Sequence, residues 1–200
     1  MATHEVTFPV TDPQEILKLR AGDEVTVQGH IIGIRDRTQI RIFDQGVEPP
    51  MDLRGAFLLH TAPGVRKLAP APDGRARYEK VCIGTTTSAR MVRFTEPLGR
   101  DHGVRAICGK GGLPDEAIEP MRRYGMVYFA IVGGAAALET TQIEEIEEVY
   151  WEELMPECLW KFRVKDFGPL TVAIDSHGSS LYHDVQAQAQ KRLEDIYANL

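Results

Sequence analysis

The chain has 200 residues, of which 43% are hydrophobic, 26% charged and 8% aromatic, a composition typical of soluble globular proteins. This length can bury a full hydrophobic core, and we expect a single domain over residues 1–200. A net charge of −6, from 29 acidic and 23 basic residues, argues against nucleic-acid binding as the main task. The sequence begins without a signal-like apolar stretch and contains no apolar run of membrane length, so we predict a cytoplasmic protein without a membrane partner.

The strand and helix signals alternate along the chain. Strands are predicted at residues 6–9, 24–34, 57–60, 80–83, 104–108, 126–132, 162–164 and 170–174. Helices are predicted after Asp12-Pro13, over residues 36–43, over residues 86–100 with an interruption at Pro97, and from Leu181 onwards. This order indicates an α/β fold, a layered sheet with flanking helices.

Two segments allow more than one assignment. Residues 63–77 contain three prolines and two glycines, which favour a hairpin or an exposed loop. Ile143, Ile146 and Val149 recur with a period of three, which fits neither a strand nor a helix. The sequence pattern therefore leaves the second segment unassigned.

The cysteines Cys82, Cys108 and Cys158 lie far apart in the sequence, and no Cys-x-x-Cys pair is present. With this spacing, neither a disulfide framework nor a self-contained zinc or iron–sulfur site is indicated. Their sequence neighbours are apolar, so we predict three buried free thiols.

Residues 84–91 read Gly-Thr-Thr-Thr-Ser-Ala-Arg-Met and follow an apolar strand, at the predicted start of a helix. Hydroxyl groups and free backbone N–H groups at such a start can hold a carboxylate or a phosphate. Arg90 lies four residues after Thr86, so both would project from one helical face. The alternative is a hydroxyl-rich helix cap beside a solvated arginine.

Two further motifs place a basic residue at the end of a predicted strand. Residues 109–112 read Gly-Lys-Gly-Gly, and the flanking glycines would let the backbone near Lys110 approach a ligand closely. The segment lacks the spacing of a nucleotide-binding P-loop, and it could equally be a turn with an exposed lysine. Arg35 and Asp36 follow the long strand, where they could face a binding crevice or form a surface ion pair.

Two histidines favour structural rather than catalytic interpretations. His60 ends a predicted strand, and we expect it in the core. The segment Asp175-Ser176-His177 predicts a turn, because the members of a catalytic triad meet in space and are rarely adjacent in sequence.

Three segments together resemble one known family: residues 84–91, residues 104–113 and, most specifically, residues 155–181. The last reads Met-Pro-Glu-Cys-Leu-Trp-Lys-Phe-Arg-Val-Lys-Asp-Phe-Gly-Pro-Leu-Thr-Val-Ala-Ile-Asp-Ser-His-Gly-Ser-Ser-Leu. They resemble the C-terminal domain of class I fumarate hydratases, which also occurs as the separate β subunit of L(+)-tartrate dehydratase and of two-subunit fumarases. The resemblance extends from Gly22 to about Tyr182 in the family's order. It implies a swivelling β/β/α domain and a hydro-lyase that adds water to, or removes it from, a small dicarboxylic acid such as fumarate, malate or L-tartrate.

The resemblance also implies a partner and a division of labour within the enzyme. A [4Fe-4S] cluster is expected on a larger α chain, in an assembly of two α and two β chains, with no metal or cofactor bound by the present chain. Thr86 matches the family's catalytic base, whereas Arg35, Arg90 and Lys110 match residues that bind the substrate carboxylates. Several cationic donors suit a small dianion, and arginine offers a two-point grip on a carboxylate.

The sequence departs from the family's pattern at three positions: Thr85 stands where proline is usual, Gln39 where histidine is usual, and Ala62 where glycine is usual. These differences leave a second hypothesis open, in which the chain is a non-catalytic dicarboxylate-binding or regulatory paralogue.

Overall fold

The computed structural model describes residues 1–132 and 136–198, which form a mixed α/β fold with a large sheet and flanking helices. The strands are β1 (Thr3–Phe8), β2 (Glu24–Ile34), β3 (Phe57–His60), β4 (Gly64–Lys67), β5 (Tyr78–Cys82), β6 (Ala106–Gly109), β7 (Val127–Ala130), β8 (Ile143–Tyr150) and β9 (Leu159–Ile174). The α-helices are α1 (Gln14–Leu17), α2 (Asp36–Phe43), α3 (Thr95–His102), α4 (Ile118–Tyr124), α5 (Ala136–Glu139) and α6 (Leu181–Ala198). Short 3-10 helices lie at Ala89–Phe94, Asp115–Ala117, Thr140–Gln142 and Glu152–Leu154.

In the described part of the chain, seven strands form one sheet in the order β1-β2-β3-β6-β7-β9-β8. A further pairing between β2 and β9 closes five of these strands into a ring. Strands β2, β3, β6 and β7 run parallel to their neighbours in that series, whereas β9 is antiparallel to β2, β7 and β8. Because β3, β6 and β7 are parallel, the loops that follow them leave from the same edge of the sheet, which is where α/β proteins place binding sites.

Two hydrophobic cores lie on opposite faces of the parallel strands. In β3, Phe57 and Leu59 belong to a core shared with β1, β2 and β9, whereas Leu58 belongs to a core shared with the helices. Side chains alternate between the faces of a strand, so a strand between two cores is buried along its whole length. This explains why β3 is a continuous apolar run that ends in the buried His60.

Strand β8 explains the period of three in the sequence. Its pairing with β9 shifts register twice, between Ile143 and Glu145 and between Ile146 and Glu148. Each shift inserts one extra residue into β8, and this reverses the alternation of side chains. Ile143, Ile146 and Val149 therefore all face the same core.

Several predicted elements have the bounds that the sequence indicated, and others do not. Strands β2 and β3 and helix α2 are confirmed at both ends, and the segment after Pro63 forms a hairpin from β4 and β5. The two strands predicted at residues 162–164 and 170–174 are wrong, because both belong to the single strand β9. The predicted interruption at Pro97 is also wrong. This proline lies in the first turn of α3, where its missing N–H is not needed.

The prediction of three buried thiols is correct for two of them. Cys108 and Cys158 are buried, and burial raises the pKa of both thiols, that of Cys158 to about 11. Cys82 is exposed, because it ends β5 in the small two-stranded sheet rather than in the main one. No helix among the described residues has the length and apolar character needed to cross a membrane.

Candidate substrate-binding site

The predicted site segments meet at the carboxyl edge of the parallel strands. The Thr86 N–H donates to the His60 carbonyl over 2.8 Å, and the Lys110 N–H donates to the Thr86 carbonyl over 3.2 Å. The Ser88 N–H donates in turn to the Lys110 carbonyl over 3.0 Å. The segment that contains Thr86 is thus held between the ends of β3 and β6.

This local geometry differs from the predicted helix start. Helical structure begins only at Ala89, so Thr86 lies before it, and Ser88 is the residue that directly precedes its first turn, with φ −80° and ψ −31°. Their N–H groups are already occupied by the carbonyl groups of β3 and of the Lys110 loop. The expectation of free backbone N–H groups is therefore wrong for Thr86 and Ser88.

Arg90 is the central side chain of the site. Its Nε donates to both oxygens of Asp36 at 3.0 Å, and its Nη2 donates to Asp36 Oδ2 at 2.9 Å. The same Nη2 donates to Thr86 Oγ1, also at 2.9 Å. Its Nη1 makes no hydrogen bond with any of the described residues, and 41% of the side chain is exposed. Asp36 therefore fixes the guanidinium plane and leaves one of its nitrogens available to an anion.

The electrostatics of Asp36 follow from this pairing. Burial opposes ionisation of its carboxyl group, but the hydrogen bonds and the charge of Arg90 outweigh burial, so its pKa is lowered below 3.8. The same interactions raise the pKa of Arg90. Both groups are charged at neutral pH, and the pair is a permanent part of the site.

Arg35 and Lys110 supply the other positive charges. Arg35 lies between two carboxylates, with its Nε 3.4 Å from Asp36 and 3.8 Å from Glu157. These distances are longer than those of a good hydrogen bond, and the side chain is only 29% exposed. Lys110 is exposed, and its ammonium group forms no hydrogen bond or ion pair with the residues that the structure describes. Gly111 and Gly112 follow it with positive φ angles of 75° and 74°, which shape the loop that carries it.

A buried polar layer lies beneath these charged groups. His60 Nδ1 is 2.9 Å from Ser88 Oγ, and the Tyr128 hydroxyl donates to the same oxygen at 3.0 Å. All three side chains are at most 1% exposed. Burial lowers the pKa of His60 to about 3, so its ring is neutral at physiological pH. The prediction of a core histidine is confirmed.

The sequence did not reveal all the residues that shape this site. Asp36 was noted only as a neighbour of Arg35, although its main partner is Arg90. Ser88 belonged to the hydroxyl-rich motif without a separate role, and Tyr128 carried no signal beyond its place in an apolar strand. The segment Asp175-Ser176-His177 forms the predicted turn, in which the Asp175 carboxylate accepts the His177 N–H.

Two of the three departures from the family pattern are buried against the site. Gln39 donates to Met91 Sδ over 3.0 Å, and its Oε1 has no hydrogen-bond partner among the described residues. Thr85 Oγ1 is likewise buried and unpaired within residues 1–132 and 136–198. The third, Ala62, is only partly buried.

Comparison with known proteins places this geometry in a family. The model of the fumarase C-terminus family matches residues 3–185. The chain belongs to this family. It is 38% identical to the L(+)-tartrate dehydratase subunit beta of Escherichia coli K12 over 192 aligned residues. This alignment covers 96% of the present chain and 92% of that protein. The chain is 35% identical to a protein of Methanocaldococcus jannaschii provisionally named L(+)-tartrate dehydratase subunit beta, over 96% of the chain and 98% of that protein.

One relative is much longer than the chain. A protein of Geobacillus stearothermophilus, provisionally named fumarate hydratase class I, is 34% identical over 94% of the chain but only 35% of its own length. The members of the fumarase C-terminus family therefore include a chain of about this length and a segment of a larger protein. The recognition made from residues 84–91, 104–113 and 155–181 is confirmed.

Proposed function

We propose that this chain is the β subunit of a cytoplasmic hydro-lyase that hydrates or dehydrates a small dicarboxylic acid, fumarate/malate or L-tartrate. Its fold would be the swivelling β/β/α domain, in one unit, and it would assemble with a cluster-bearing α chain as two α and two β subunits. The names of the curated relatives support the type of reaction and the β-subunit role. The observation that carries the proposal is the contact of Arg90 with both Asp36 and Thr86.

In this proposal the cations bind the substrate carboxylates. Arg90 offers its Nη1, which makes no hydrogen bond to the described residues, and Lys110 offers an exposed ammonium group. Arg35 adds a further positive charge, with its Nε 3.4 Å from Asp36 Oδ2. Two anchored carboxylates would fix the carbon atoms between them, and such positioning contributes several kcal/mol to catalysis.

Thr86 would move the proton. In dehydration a hydroxyl group leaves one carbon and a proton leaves the neighbouring carbon, and hydration reverses both steps. Before Thr86 can take a proton from the substrate, its own hydroxyl proton must pass to a base, which we assign to the partner α chain. Arg90 donates to Thr86 Oγ1, so its positive guanidinium would stabilise the negative oxygen that remains. A threonine hydroxyl is otherwise a very weak base, so this role requires activation from the partner chain, which the contact with Arg90 would assist.

The residues of this chain do not fit an iron–sulfur cluster of their own. The three cysteines do not form a ligand set, because Cys108 and Cys158 are buried in the hydrophobic core and Cys82 is exposed at the end of β5. Within the described residues no group of three His, Cys, Asp or Glu side chains could hold a metal ion. We therefore assign the cluster to the α chain, where it would supply Lewis acidity for the departing hydroxyl group.

The proposal is tested by anaerobic co-expression of this chain with a cluster-bearing α chain. The purified pair is assayed with fumarate, malate and both tartrate enantiomers, and each chain is assayed alone. We expect turnover of at least one substrate by the pair and none by the present chain alone. Turnover by the present chain alone would contradict the division of labour.

The second hypothesis, a non-catalytic dicarboxylate-binding paralogue, rests on the unpaired polar atoms that Gln39 and Thr85 place beside the site. It predicts that a dicarboxylate binds to the assembled or isolated chain, measured by calorimetry, while no substrate is turned over. This result would replace the enzymatic proposal.

A further inference from the structure

A chain of hydrogen bonds crosses the buried layer beneath the site. The Tyr128 hydroxyl donates to Ser88 Oγ at 3.0 Å. Ser88 Oγ is 2.9 Å from His60 Nδ1. Each of the three side chains is at most 1% exposed, so water does not compete for these contacts.

The positions of the protons along this chain follow from counting donors and acceptors. The Tyr128 hydroxyl gives its proton to Ser88, so the Ser88 hydroxyl proton is available for His60 Nδ1. If His60 Nδ1 carried a proton instead, the hydroxyl proton of Ser88 would have no acceptor among the described residues. The arrangement that uses both hydroxyl protons is thus neutral His60 with its proton on Nε2, a buried nitrogen that has no hydrogen-bond partner among the described residues. The low pKa that burial gives His60 keeps the ring neutral.

These hydrogen bonds connect the backbone segments that carry the proposed catalytic groups. The hydrogen-bond chain ends at Tyr128, in β7, and at His60, whose carbonyl accepts the Thr86 N–H over 2.8 Å. Its centre is Ser88, whose N–H donates to the Lys110 carbonyl. The space for the Ser88 hydroxyl exists because residue 109 is glycine, as a Cβ at that position would collide with Ser88 Oγ. Backbone and side-chain bonds therefore tie the same segments together from two sides.

We propose that Tyr128, Ser88 and His60 are positioning residues that hold Thr86 and the Lys110 loop in the geometry required for proton transfer. This inference rests on the proposed function. None of the three side chains touches the substrate, because all are buried beneath the groups that do. Their effect on the reaction passes through the backbone positions of Thr86 and Lys110.

The first test uses the assembled enzyme and separates kcat from KM. Tyr128→Phe keeps the ring and its packing but removes one hydrogen bond, and we expect kcat to fall about fivefold to tenfold. Ser88→Ala leaves two buried groups unpaired, and we expect kcat to fall about a hundredfold. KM should change much less than kcat in both variants, because Arg90 and the carboxylate of Asp36 that fixes it are not altered. His60→Asn, which keeps an acceptor near the position of Nδ1, should retain more activity than His60→Leu.

Tyr124→Phe is the matched control, because Tyr124 donates to Glu96 over 3.3 Å away from the site. The positioning role is wrong if Tyr128→Phe and Ser88→Ala lower kcat no more than this control does, in complexes that assemble normally. If the unmodified pair itself turns over no substrate, the proposed function has failed, and this result is distinct from a failure of the variants.

A second test does not depend on activity. The nitrogen chemical shifts of His60 in the isotope-labelled chain report its tautomer and charge. We expect a neutral ring protonated at Nε2 throughout pH 5–8, and in Tyr128→Phe we expect faster exchange of the Ser88 hydroxyl proton with solvent. A ring protonated at Nδ1, or one that becomes charged in this range, would overturn the proposed order of donors.

Discussion

Replacement of Arg90 by lysine tests the geometry of the site most directly. The arginine donates three hydrogen bonds to Asp36 and one to Thr86, and its planar group places them all at once. Lysine keeps the positive charge, but its single ammonium group cannot reach Asp36, Thr86 and a substrate carboxylate with the same fixed geometry. The substitution therefore removes positioning and leaves the charge.

The expected magnitude follows from the contacts that are lost. One charge-assisted hydrogen bond to a substrate carboxylate is worth about 1.5–3 kcal/mol, which corresponds to roughly a tenfold to hundredfold loss in kcat/KM. The contact of Arg90 with Asp36 is partly exposed, so its loss should lower the free energy of unfolding by no more than about 1 kcal/mol. Activity should thus fall far more than stability does.

Arg93→Lys is a matched control in the same 3-10 helix. Arg93 binds Asp44 through two nitrogens, at 2.9 and 2.6 Å, in the way that Arg90 binds Asp36. It lies on the exposed surface, and 55% of its side chain is accessible. We expect Arg93→Lys to leave kcat/KM within about twofold of the unmodified enzyme, because it removes the same kind of ion pair at a distance from the site.

Substitutions of Thr86 test the role of its hydroxyl group in the same assay. Thr86→Val keeps the shape of the side chain and removes the hydroxyl, so kcat should fall while KM stays nearly constant. Thr86→Ser keeps the hydroxyl and should recover most of the activity. The assay is steady-state turnover of the assembled pair, with cluster content and assembly checked for each variant. Small and equal effects of Arg90→Lys, Arg93→Lys and Thr86→Val would show that residues 84–91 only begin a helix and take no part in binding or proton transfer.

Three further predictions concern stability and charge. Thr61→Val should lower the free energy of unfolding by about 1–3 kcal/mol, because the Thr61 hydroxyl donates to a backbone carbonyl over 2.6 Å. Thr85→Val should leave the free energy of unfolding unchanged or raise it, because the Thr85 hydroxyl is unpaired among the described residues. Urea unfolding of both variants measures the difference, and equal losses would contradict it. His60 stays neutral in the folded protein but becomes protonated in the unfolded chain as the pH falls below 6.5, so the free energy of unfolding should decrease by about 2 kcal/mol between pH 7 and pH 5. Urea titrations at several pH values measure this decrease, and it should be smaller in His60→Asn. Asp36→Asn should raise KM about tenfold, because Arg90 loses the carboxylate that fixes its plane, and an unchanged KM in steady-state assays would disprove this orienting role.

Much of the fold could be read from the sequence, because its signals are local. The long strand Glu24–Ile34 is rich in β-branched residues, and the helix Asp36–Phe43 begins directly after it, so their bounds needed no tertiary information. The strand Phe57–His60 is a short apolar run that ends in a histidine, and it too was predicted with the correct bounds. The family motif at residues 155–181 identified the family without any knowledge of contacts.

Other features of the fold depended on pairing between distant segments. The period of three in Ile143, Ile146 and Val149 became interpretable only through two register shifts against β9. Residues 162–164 and 170–174 belong to one strand because β9 continues its pairing with β2 across Gly168-Pro169, where sequence signals favour a turn. Such pairing is a long-range property, and no local pattern encodes it.

The candidate site divides in the same way. The sequence named Thr86, Arg90, Lys110 and Arg35, since each belongs to a motif that follows a strand. Only the tertiary structure decided that Asp36 holds Arg90 and that helical structure begins at Ala89 rather than at the threonines. It also decided that Tyr128, which is 40 residues from Ser88, donates a hydrogen bond to it. The physical reason is that residue type and spacing record which groups a chain carries, whereas burial and hydrogen-bond partners depend on which strands become neighbours.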